Sequence, residues 1–258
     1  MSQELGLTNA SIQVTSLEKT FQDRKKGPIR AVRGISFECP PGKVFGLLGR
    51  NGAGKTTTLR MLATILVPTG GTATVAGYDI VEKPAEVRRR IGYLSGDTKL
   101  YDRLTGRELL GYFGILCGME TGAIGARIEE LAGPFELREL LDRRVGKMST
   151  GMKQRLSIAR VVFHDPQVLI FDEPTSGLDV IGAHAVLALI RDLKAKGRTV
   201  IFSTHIMSEA ERICDEIAII ESGEIVARGS VAQIRERAKQ ETLEDAFVAL
   251  VKERDGDR

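Results

Sequence analysis

The sequence has few cysteines and no long hydrophobic run. Its three cysteines, Cys39, Cys117 and Cys214, are far apart, which argues against a disulfide framework or a structural zinc site and favours a reducing compartment. No apolar segment approaches the roughly 20 residues that a membrane-spanning helix needs, and the first residues lack the basic start and apolar core of a signal peptide. These absences predict a cytosolic protein, which can still dock on a partner in the membrane.

An excess of one charge is absent as well. The chain of 258 residues carries 37 Lys and Arg against 34 Asp and Glu, a net charge of +3. Nucleic-acid-binding proteins usually concentrate basic residues on one face, so we do not expect nucleic acid as a partner. We interpret the basic run at residues 88–90 as a solvated helix end. The length suits one large domain, or a core with a lobe.

Short apolar segments of strand length alternate with helical patterns along the chain. Such runs are typical of a sheet covered on both faces, so the sequence predicts an α/β core with a mainly parallel sheet. Residues 11–38 predict further β-structure with a basic turn at residues 23–30, residues 222–223 predict a hairpin turn, and two short amphipathic helices are predicted to begin near residues 230 and 242. The buried strands are predicted at residues 44–48, 167–171, 199–204 and 216–220, and the helices between them at residues 55–66 and 182–197.

The middle of the chain has helical rather than strand signals. Thr105 and Glu108 have the spacing of a capping box, and a further helix is predicted through residues 126–140. The apolar residues at helical spacing after this box, expected mostly in the core, are Leu109, Leu110, Phe113 and Leu116. The single predicted domain is divided into a core lobe at about 11–95 and 161–230, a helical lobe at about 96–160 and a helical tail at about 230–258.

Residues 49–56, GRNGAGKT, match the phosphate-loop pattern G-x-x-x-x-G-K-[ST] in full. The motif follows an apolar strand and opens a helix, so backbone N–H groups and the positive helix end are expected to face phosphate oxygens. Lys55 is predicted to reach the β- and γ-phosphates of a nucleotide, and the Thr56 hydroxyl to bind Mg²⁺. A glycine-rich turn that matches by accident is the alternative. The predicted phosphate-binding residues are Gly49, Arg50, Asn51, Gly52, Ala53, Gly54, Lys55 and Thr56.

Two carboxylates stand at the end of another apolar strand. Asp172 is expected to anchor Mg²⁺ beside the phosphate loop, and Glu173 to polarise the water that attacks the γ-phosphate. Taken alone, the pair fits solvated acids at a strand end equally well. His205 also ends a strand, and the strand ends of such sheets meet at the ligand. We therefore expect His205 to contact the γ-phosphate, although a lone histidine is usually structural.

In this order the motifs resemble the nucleotide-binding subunits of ATP-binding-cassette (ABC) transporters, over roughly residues 11–230. The resemblance implies an ATPase with a P-loop NTPase fold: a RecA-like, mainly parallel core, an antiparallel β part at the N-terminus and an inserted helical lobe. It implies ATP and Mg²⁺ as cofactors. It also adds Thr57 to the residues predicted to bind the nucleotide. Phe21 matches an aromatic that stacks on adenine, with an ordinary core Phe as the alternative. Asp179, in the sequence SGLD, matches a loop that crosses a dimer interface.

The stretch MSTGMKQR, residues 148–155, resembles the signature sequence of that family. The resemblance implies that two copies pack head to tail, each ATP lying between the phosphate loop of one copy and the signature of the other. The Ser149 hydroxyl and the Gly151 N–H suit an anion, although the residues alone favour Ser149 as a plain helix cap. Three positions depart from the usual signature: Met148, Thr150 and Met152.

One loop departs further from the family pattern. The family usually has a glutamine that contacts Mg²⁺ and the water where this sequence has Gly96, and residues 91–105 contain no glutamine. Asp97 or a water molecule is the candidate replacement. The sequence of this loop resembles that of the sodium-extruding branch of the family, whose subunits serve exporter-type membrane partners. The surface that receives the membrane subunit is predicted at Lys99, Leu100, Tyr101 and Arg103.

The resulting prediction is an ATP-hydrolysing subunit that drives export through a separate membrane permease, on the inner face of the cell membrane. The resemblance of the loop around Gly96 to the sodium-extruding branch favours sodium as the exported cargo. A drug or another cargo is the alternative. A cassette ATPase that acts on DNA or ribosomes usually has a long coiled-coil insertion or two cassettes, and the sequence has neither. A regulatory module that holds ATP without turnover is the third hypothesis. Glu173 and His205 argue against it, and the missing glutamine is its only support.

Overall fold

The computed structural model describes residues 11–23, 25, 27–96 and 99–256, which form two β-sheets with helices packed around them. The strands are β1 Ile12–Asp23, β2 Gly27–Cys39, β3 Val44–Leu48, β4 Gly70–Val75, β5 Tyr78–Asp79, β6 Ile91–Leu94, β7 Val168–Asp172, β8 Thr199–Thr204, β9 Glu216–Glu221 and β10 Glu224–Gly229. The helices are α1 Lys55–Leu62, α2 Pro84–Arg90, α3 Gly106–Leu116, α4 Thr121–Ala132, α5 Thr150–Val162, α6 Val180–Ala195, α7 Met207–Ile213, α8 Val231–Ala238 and α9 Leu243–Gly256, with a 3₁₀ turn at Val145–Lys147.

The larger sheet has the strand order β10-β9-β3-β8-β7-β6. Neighbouring strands from β9 to β6 pair in parallel, and β10 pairs antiparallel with β9. Strands β3, β8 and β7 lie side by side and are wholly buried. Their carboxyl ends therefore meet at one edge of the sheet, which is where open parallel sheets bind ligands. The predicted α/β fold with a mainly parallel core is confirmed.

The smaller sheet is antiparallel and has the order β2-β1-β4-β5. It shares a hydrophobic cluster with the larger sheet and α1, in which the rings of Phe37 and Phe45 stack with centroids 4.9 Å apart. Strands β1 and β2 run into the segment predicted as a basic turn, because their pairing continues to Asp23 and Gly27. The antiparallel N-terminal part is confirmed, with longer strands than predicted.

Two helices end earlier than the sequence predicted. Helix α1 ends one turn early because Thr64 takes a left-handed conformation, with φ 59°, and the N–H of Ile65 donates to the Arg60 carbonyl at 2.9 Å. This is a Schellman-type end. Helix α4 ends at Ala132. Pro134 lacks the N–H that a further helical turn needs, and Glu136 takes a left-handed conformation, with φ 51°, after which the N–H of Leu137 donates to the Ala132 carbonyl at 2.8 Å.

The predicted capping box and the predicted hairpin at residues 222–223 are confirmed, whereas the helices predicted at residues 126–140 and 182–197 begin earlier, at Thr121 and Val180. Thr105 Oγ1 accepts a hydrogen bond from the Glu108 N–H at 3.2 Å, and the Glu108 carboxylate accepts one from the Thr105 N–H at 2.8 Å, which is the predicted capping box. A second capping box, of Ser230 and Gln233, starts α8. Within the described ranges, no helix is long and apolar enough to cross a membrane.

The apolar face of α3 is only partly core. Leu109 and Leu110 are fully buried as predicted, but Leu116 is 61% exposed, so its prediction as a core residue is wrong. The line of tightest packing runs instead through Gly114, where a Cβ would lie 2.8 Å from the Phe163 ring. Leu116 lies to one side of this line in the last turn of the helix.

Candidate active site

The loop between β3 and α1 is held in one shape by close contacts of its glycines. Gly54 has φ 109°, and a Cβ at this position would lie 2.6 Å from the Ala31 carbonyl oxygen. A Cβ at Gly49 would lie 2.3 Å from the Ile220 carbonyl oxygen. A larger residue therefore does not fit at either end of the loop without moving the backbone that faces it.

A cavity of about 350 Å³ lies along this loop. Lys55 lies in it with only 4% of its surface exposed, and its Nζ donates to the carbonyls of Gly49, at 2.8 Å, and Arg50, at 3.1 Å. The side chain of Arg50 itself is exposed, and the carbonyl of Ala53 accepts from Gly223 in the β9–β10 turn. The residues that line the cavity are Ala31, Asn51, Gly52, Gly54, Lys55, Thr56, Thr57 and Glu173.

Two predicted metal ligands converge from different elements. Asp172, at the end of β7, is 4% exposed, and its Oδ1 accepts hydrogen bonds from Thr56 Oγ1 at 3.1 Å and from Ser203 Oγ at 2.7 Å. A hydroxyl and a carboxylate oxygen in contact fit Mg²⁺, which usually takes one or two carboxylates and completes its shell with water and phosphate oxygens. Burial raises the pKa of nearby Tyr93, and the Asp172 charge adds to the shift, so this phenol stays neutral.

Glu173 lies between the phosphate loop and the end of β8. Its Oε1 is 3.3 Å from Lys55 Nζ, and its Oε2 is 3.4 Å from His205 Nδ1. The backbone at Glu173 is left-handed, with φ 47°, and its N–H donates to Ser203 Oγ at 3.0 Å. A non-glycine residue in this region costs on the order of 1–3 kcal/mol, a cost found mainly at functional sites. Glu173 therefore lies within ion-pair distance of two other predicted site residues, Lys55 and His205.

A second cavity, of about 270 Å³, opens beside Asp172. Gly96 lines it, and a Cβ at Gly96 would lie 3.8 Å from the Asp172 carbonyl oxygen. Asp97, the other candidate in this loop, lies outside the described residues. Sequence reasoning missed Gln154, which lines the same cavity and donates from Nε2 to the Pro174 carbonyl. The signal was present, since this glutamine belongs to the MSTGMKQR stretch. The lining is Thr56, Ser95, Gly96, Gln154, Asp172, Glu173 and Ser176.

The predicted signature residues lie at helix starts away from these two cavities. Ser149 is exposed and caps α5, with its Oγ accepting from the Met152 N–H at 3.3 Å. A Cβ at Gly151 would have no neighbour within 4 Å. Asp179 caps α6, with its Oδ1 accepting from the Gly182 N–H at 2.7 Å. Among the described residues that line either cavity, none of these predicted signature and loop residues appears, so the fold of one chain does not bring them to its own phosphate loop.

Phe21 lies near the end of β1 and is 38% exposed. Lys19 Nζ lies 5.3 Å from the centroid of its ring. The alternative of an ordinary core phenylalanine does not fit this exposure. Phe21 is not among the residues that line the two cavities described above.

The fold and the site together define a P-loop nucleotide-binding protein. A glycine-rich loop joins a central parallel strand to a helix, a buried lysine lies in the loop, and a carboxylate from the neighbouring part of the sheet contacts the helix threonine. A strand before the loop and a helix after it are the structural context in which this sequence motif binds phosphate.

Comparisons with known proteins narrow this class to one family. The family model described as ABC transporter matches residues 32–176. The ABC transporter ATP-binding protein NatA of Bacillus subtilis is 46% identical, with 92% of this chain and 97% of that protein covered. Nod factor export ATP-binding protein I of Burkholderia lata is 40% identical, with 86% of this chain and 71% of that protein covered. The chain belongs to the ABC transporter family, as an ATP-binding subunit with ATPase activity.

Solved structures agree with this fold. The ATP-binding subunit of an ABC transporter superposes with a TM-score of 0.82 at 30% identity, covering 93% of this chain and 99% of that chain. A dimeric ATP-binding cassette in a post-hydrolysis state, bound to ADP and Pi, superposes with a TM-score of 0.77 at 23% identity, covering 85% of this chain and 98% of that chain.

Proposed function

We propose that this chain hydrolyses ATP with Mg²⁺ to drive export through a separate permease in the membrane. The observation that carries the proposal is the convergence of Lys55, Thr56, Asp172 and Glu173 at one sheet edge. Export is supported by the likeness to a Nod factor export ATP-binding protein. Sodium is the cargo we propose, from the likeness to NatA and the wording of the loop around Gly96, and another exported cargo is the alternative.

Each residue of the cluster has a role in this proposal. Lys55 holds the β- and γ-phosphates, and Thr56 and Asp172 hold Mg²⁺, which supplies charge neutralisation on the phosphates when bound. Glu173 accepts a hydrogen bond from the attacking water and orients it in line with the γ-phosphate. His205 lies 3.4 Å from Glu173 and is 45% exposed, so its ring can turn towards the γ-phosphate.

A second copy of the chain completes the site. Ser149 and Gly151 are accessible and lie at the start of α5, where backbone N–H groups favour an anion. We assign them to the γ-phosphate of the ATP on the partner copy, and Asp179 to the interface between copies. Two solved cassettes that share this fold are dimeric, which supports a pairing of two copies. Phe21, with its exposed ring, is assigned to stacking on adenine.

The permease is proposed to dock on the segment that follows Gly96, within a helical lobe at residues 96–160. A cavity of about 400 Å³ is lined by Tyr101, Asp102, Arg103, Leu104 and Tyr112. The rings of Tyr101 and Tyr112 pack edge to face, with centroids 5.8 Å apart. Lys99 is exposed and Leu100 is half-buried. Docking there holds the chain on the inner face of the cell membrane.

The test is the ATPase rate of the chain alone and with its co-purified membrane subunit in lipid vesicles. If the chain is a transport subunit, the membrane subunit stimulates its ATPase rate. The vesicles then also lose or take up the cargo. Turnover that responds to DNA or ribosomes instead would support a non-transport ATPase. ATP binding without turnover, with or without the membrane subunit, would make the chain a regulatory module.

A further inference from the structure

The β9–β10 hairpin packs against the phosphate loop. At one end of the loop, Gly49 lies so close to the Ile220 carbonyl oxygen that a Cβ would come within 2.3 Å of it. At the other end, the N–H of Gly223 donates to the Ala53 carbonyl at 2.9 Å. The hairpin therefore contacts both the first and the last part of the loop.

The hairpin turn has little room to shift. Ser222 and Gly223 have φ values of 49° and 82°, and the Gly223 carbonyl accepts from the Arg33 N–H at 2.8 Å. A Cβ at Gly54 would lie 3.5 Å from the Gly223 Cα and 2.6 Å from the Ala31 carbonyl oxygen. A displaced turn would therefore press on Gly54, the left-handed residue directly before α1.

The C-terminal helix α9 fixes this hairpin through one arginine. Arg254 has only 16% of its side chain exposed. Its Nη1 donates to the Glu221 carbonyl at 2.6 Å, and its Nη2 pairs with the Glu224 carboxylate. Glu221 and Glu224 are the residues on either side of the turn, so one guanidinium clamps both strands of the hairpin. A forked, charge-assisted contact of this kind is among the stronger polar interactions in proteins.

Apolar packing links the same helix to the strand that leads into the loop. Leu250 and Val251 of α9 are buried in one cluster with Ile217 and Ile219 of β9 and with Leu48, the last residue of β3. The next residue is Gly49, where the phosphate loop begins. Helix α9 therefore contacts both elements that hold the phosphate loop: strand β3, which leads into the loop, and the β9–β10 hairpin.

We propose that α9, through Arg254, positions the phosphate loop for ATP, which makes the C-terminal tail part of the nucleotide-binding machinery. Arg254 is a positioning residue, because it reaches the loop only through the β9–β10 turn. The contact sets the shape in which the backbone N–H groups of the loop meet the phosphates. It acts on ATP affinity and leaves the water-activating group, Glu173, unchanged. The inference rests on the proposed role of the phosphate loop.

The test compares Arg254→Ala with Lys252→Ala, a control on the same helix with an exposed side chain. We expect Arg254→Ala to raise the KM for ATP about fivefold, the net size of one ordinary hydrogen bond, because Arg254 reaches the loop only through the turn. We expect kcat to stay within about twofold of the wild type. Arg254→Lys should recover part of the affinity, since an ammonium can reach one of the two acceptors. Lys252→Ala should leave KM unchanged.

Hydrogen exchange separates a local effect from general instability. In Arg254→Ala, backbone amides of residues 44–60 should exchange faster, while those of α4 keep the wild-type rate. If Arg254→Ala folds poorly, Glu224→Gln removes the charge of the pair in a milder way and should show the same rise in KM. An unchanged KM in both variants, or a kcat that falls only with the folded fraction, would overturn the proposal. Lys55→Ala is the reference: retained ATP binding in that variant would instead contradict the proposed function.

Discussion

Lys55 and Asp172 are charged side chains that the fold buries almost completely, at 4% exposure each. Burying a charge is costly unless it has partners, and each of them has partners from its own site: backbone carbonyls and Glu173 for the lysine, hydroxyls for the aspartate. The phosphate-loop motif and the strand-end acids predicted this cluster from sequence. The motif could not predict Ser203, because an inward serine in a buried strand has no distinctive sequence pattern.

Removing the lysine charge is expected to abolish activity. Lys55→Ala should eliminate ATP hydrolysis and strongly weaken nucleotide binding, because electrostatic stabilisation of the phosphates is usually the largest catalytic contribution. Lys239→Ala, which changes an exposed lysine at the end of α8, is the matched control. Turnover and the binding of a fluorescent ATP analogue measure the two effects. Wild-type turnover in Lys55→Ala would show that the loop is not the catalytic phosphate site.

Changing the buried aspartate is expected to alter the dependence on magnesium. Asp172→Asn should raise the Mg²⁺ concentration for half-maximal ATPase activity by about tenfold or more, since a charged oxygen ligand is lost. The amide oxygen of Asn can still accept from the Ser203 hydroxyl, so the fold should be kept. Asp142→Asn, at a side chain that is 87% exposed, is the control. The same magnesium titration curve for both variants would exclude Asp172 as a metal ligand.

At the scale of elements, local sequence patterns predicted strands and helix starts better than helix ends. The capping box at Thr105 fixed the start of α3, and apolar runs identified the buried strands of the large sheet. Helix α1 ended early through a left-handed Thr64, which residue type alone does not predict. Helix α7 was missed because it is only 7 residues long, too short to show a helical apolar period.

Glycines on α3 and α4 should respond oppositely to alanine. Gly114→Ala should lower the free energy of unfolding by about 1–3 kcal/mol, because the new methyl group would overlap the Phe163 ring and crowd Ile124. Gly125→Ala, in α4, has open space around its Cβ and should raise the same quantity by about 0.5–1 kcal/mol. Urea unfolding followed by circular dichroism measures both. Equal stabilities would mean that α3 does not pack as closely as described.

The docking segment should separate coupling from catalysis. Tyr101→Ala should leave the basal ATPase of the isolated chain within about twofold, since Tyr101 is 53% exposed and lines neither cavity of the site, while stimulation by the membrane subunit is lost. Ile65→Ala, at another exposed apolar side chain, is the control and should keep the stimulation. A collapse of basal activity in Tyr101→Ala would mean that this loop belongs to the catalytic site.

At the scale of the whole molecule, the sheet order explains which residues meet. Strand β8 lies between β3 and β7, so His205, Lys55 and Glu173 approach each other although the chain separates them widely. The sequence predicted this from motif order and the rule for strand ends. The proposed role of Ser149, Gly151 and Asp179 comes only from the family resemblance, because the proposed ligand lies on another copy and no contact among the residues that the structure describes reveals it.

The most direct test of a site shared between two copies is the mass of Glu173→Gln in solution, measured by light scattering with ATP and Mg²⁺. This variant should keep ATP binding and lose turnover by about a hundredfold or more, as expected when a general base is removed. Because the proposed site needs ATP between two copies, this variant should be a dimer with ATP and a monomer without it. Lys55→Ala, which loses ATP, should stay monomeric in both conditions. A monomer of Glu173→Gln with ATP bound would contradict the account.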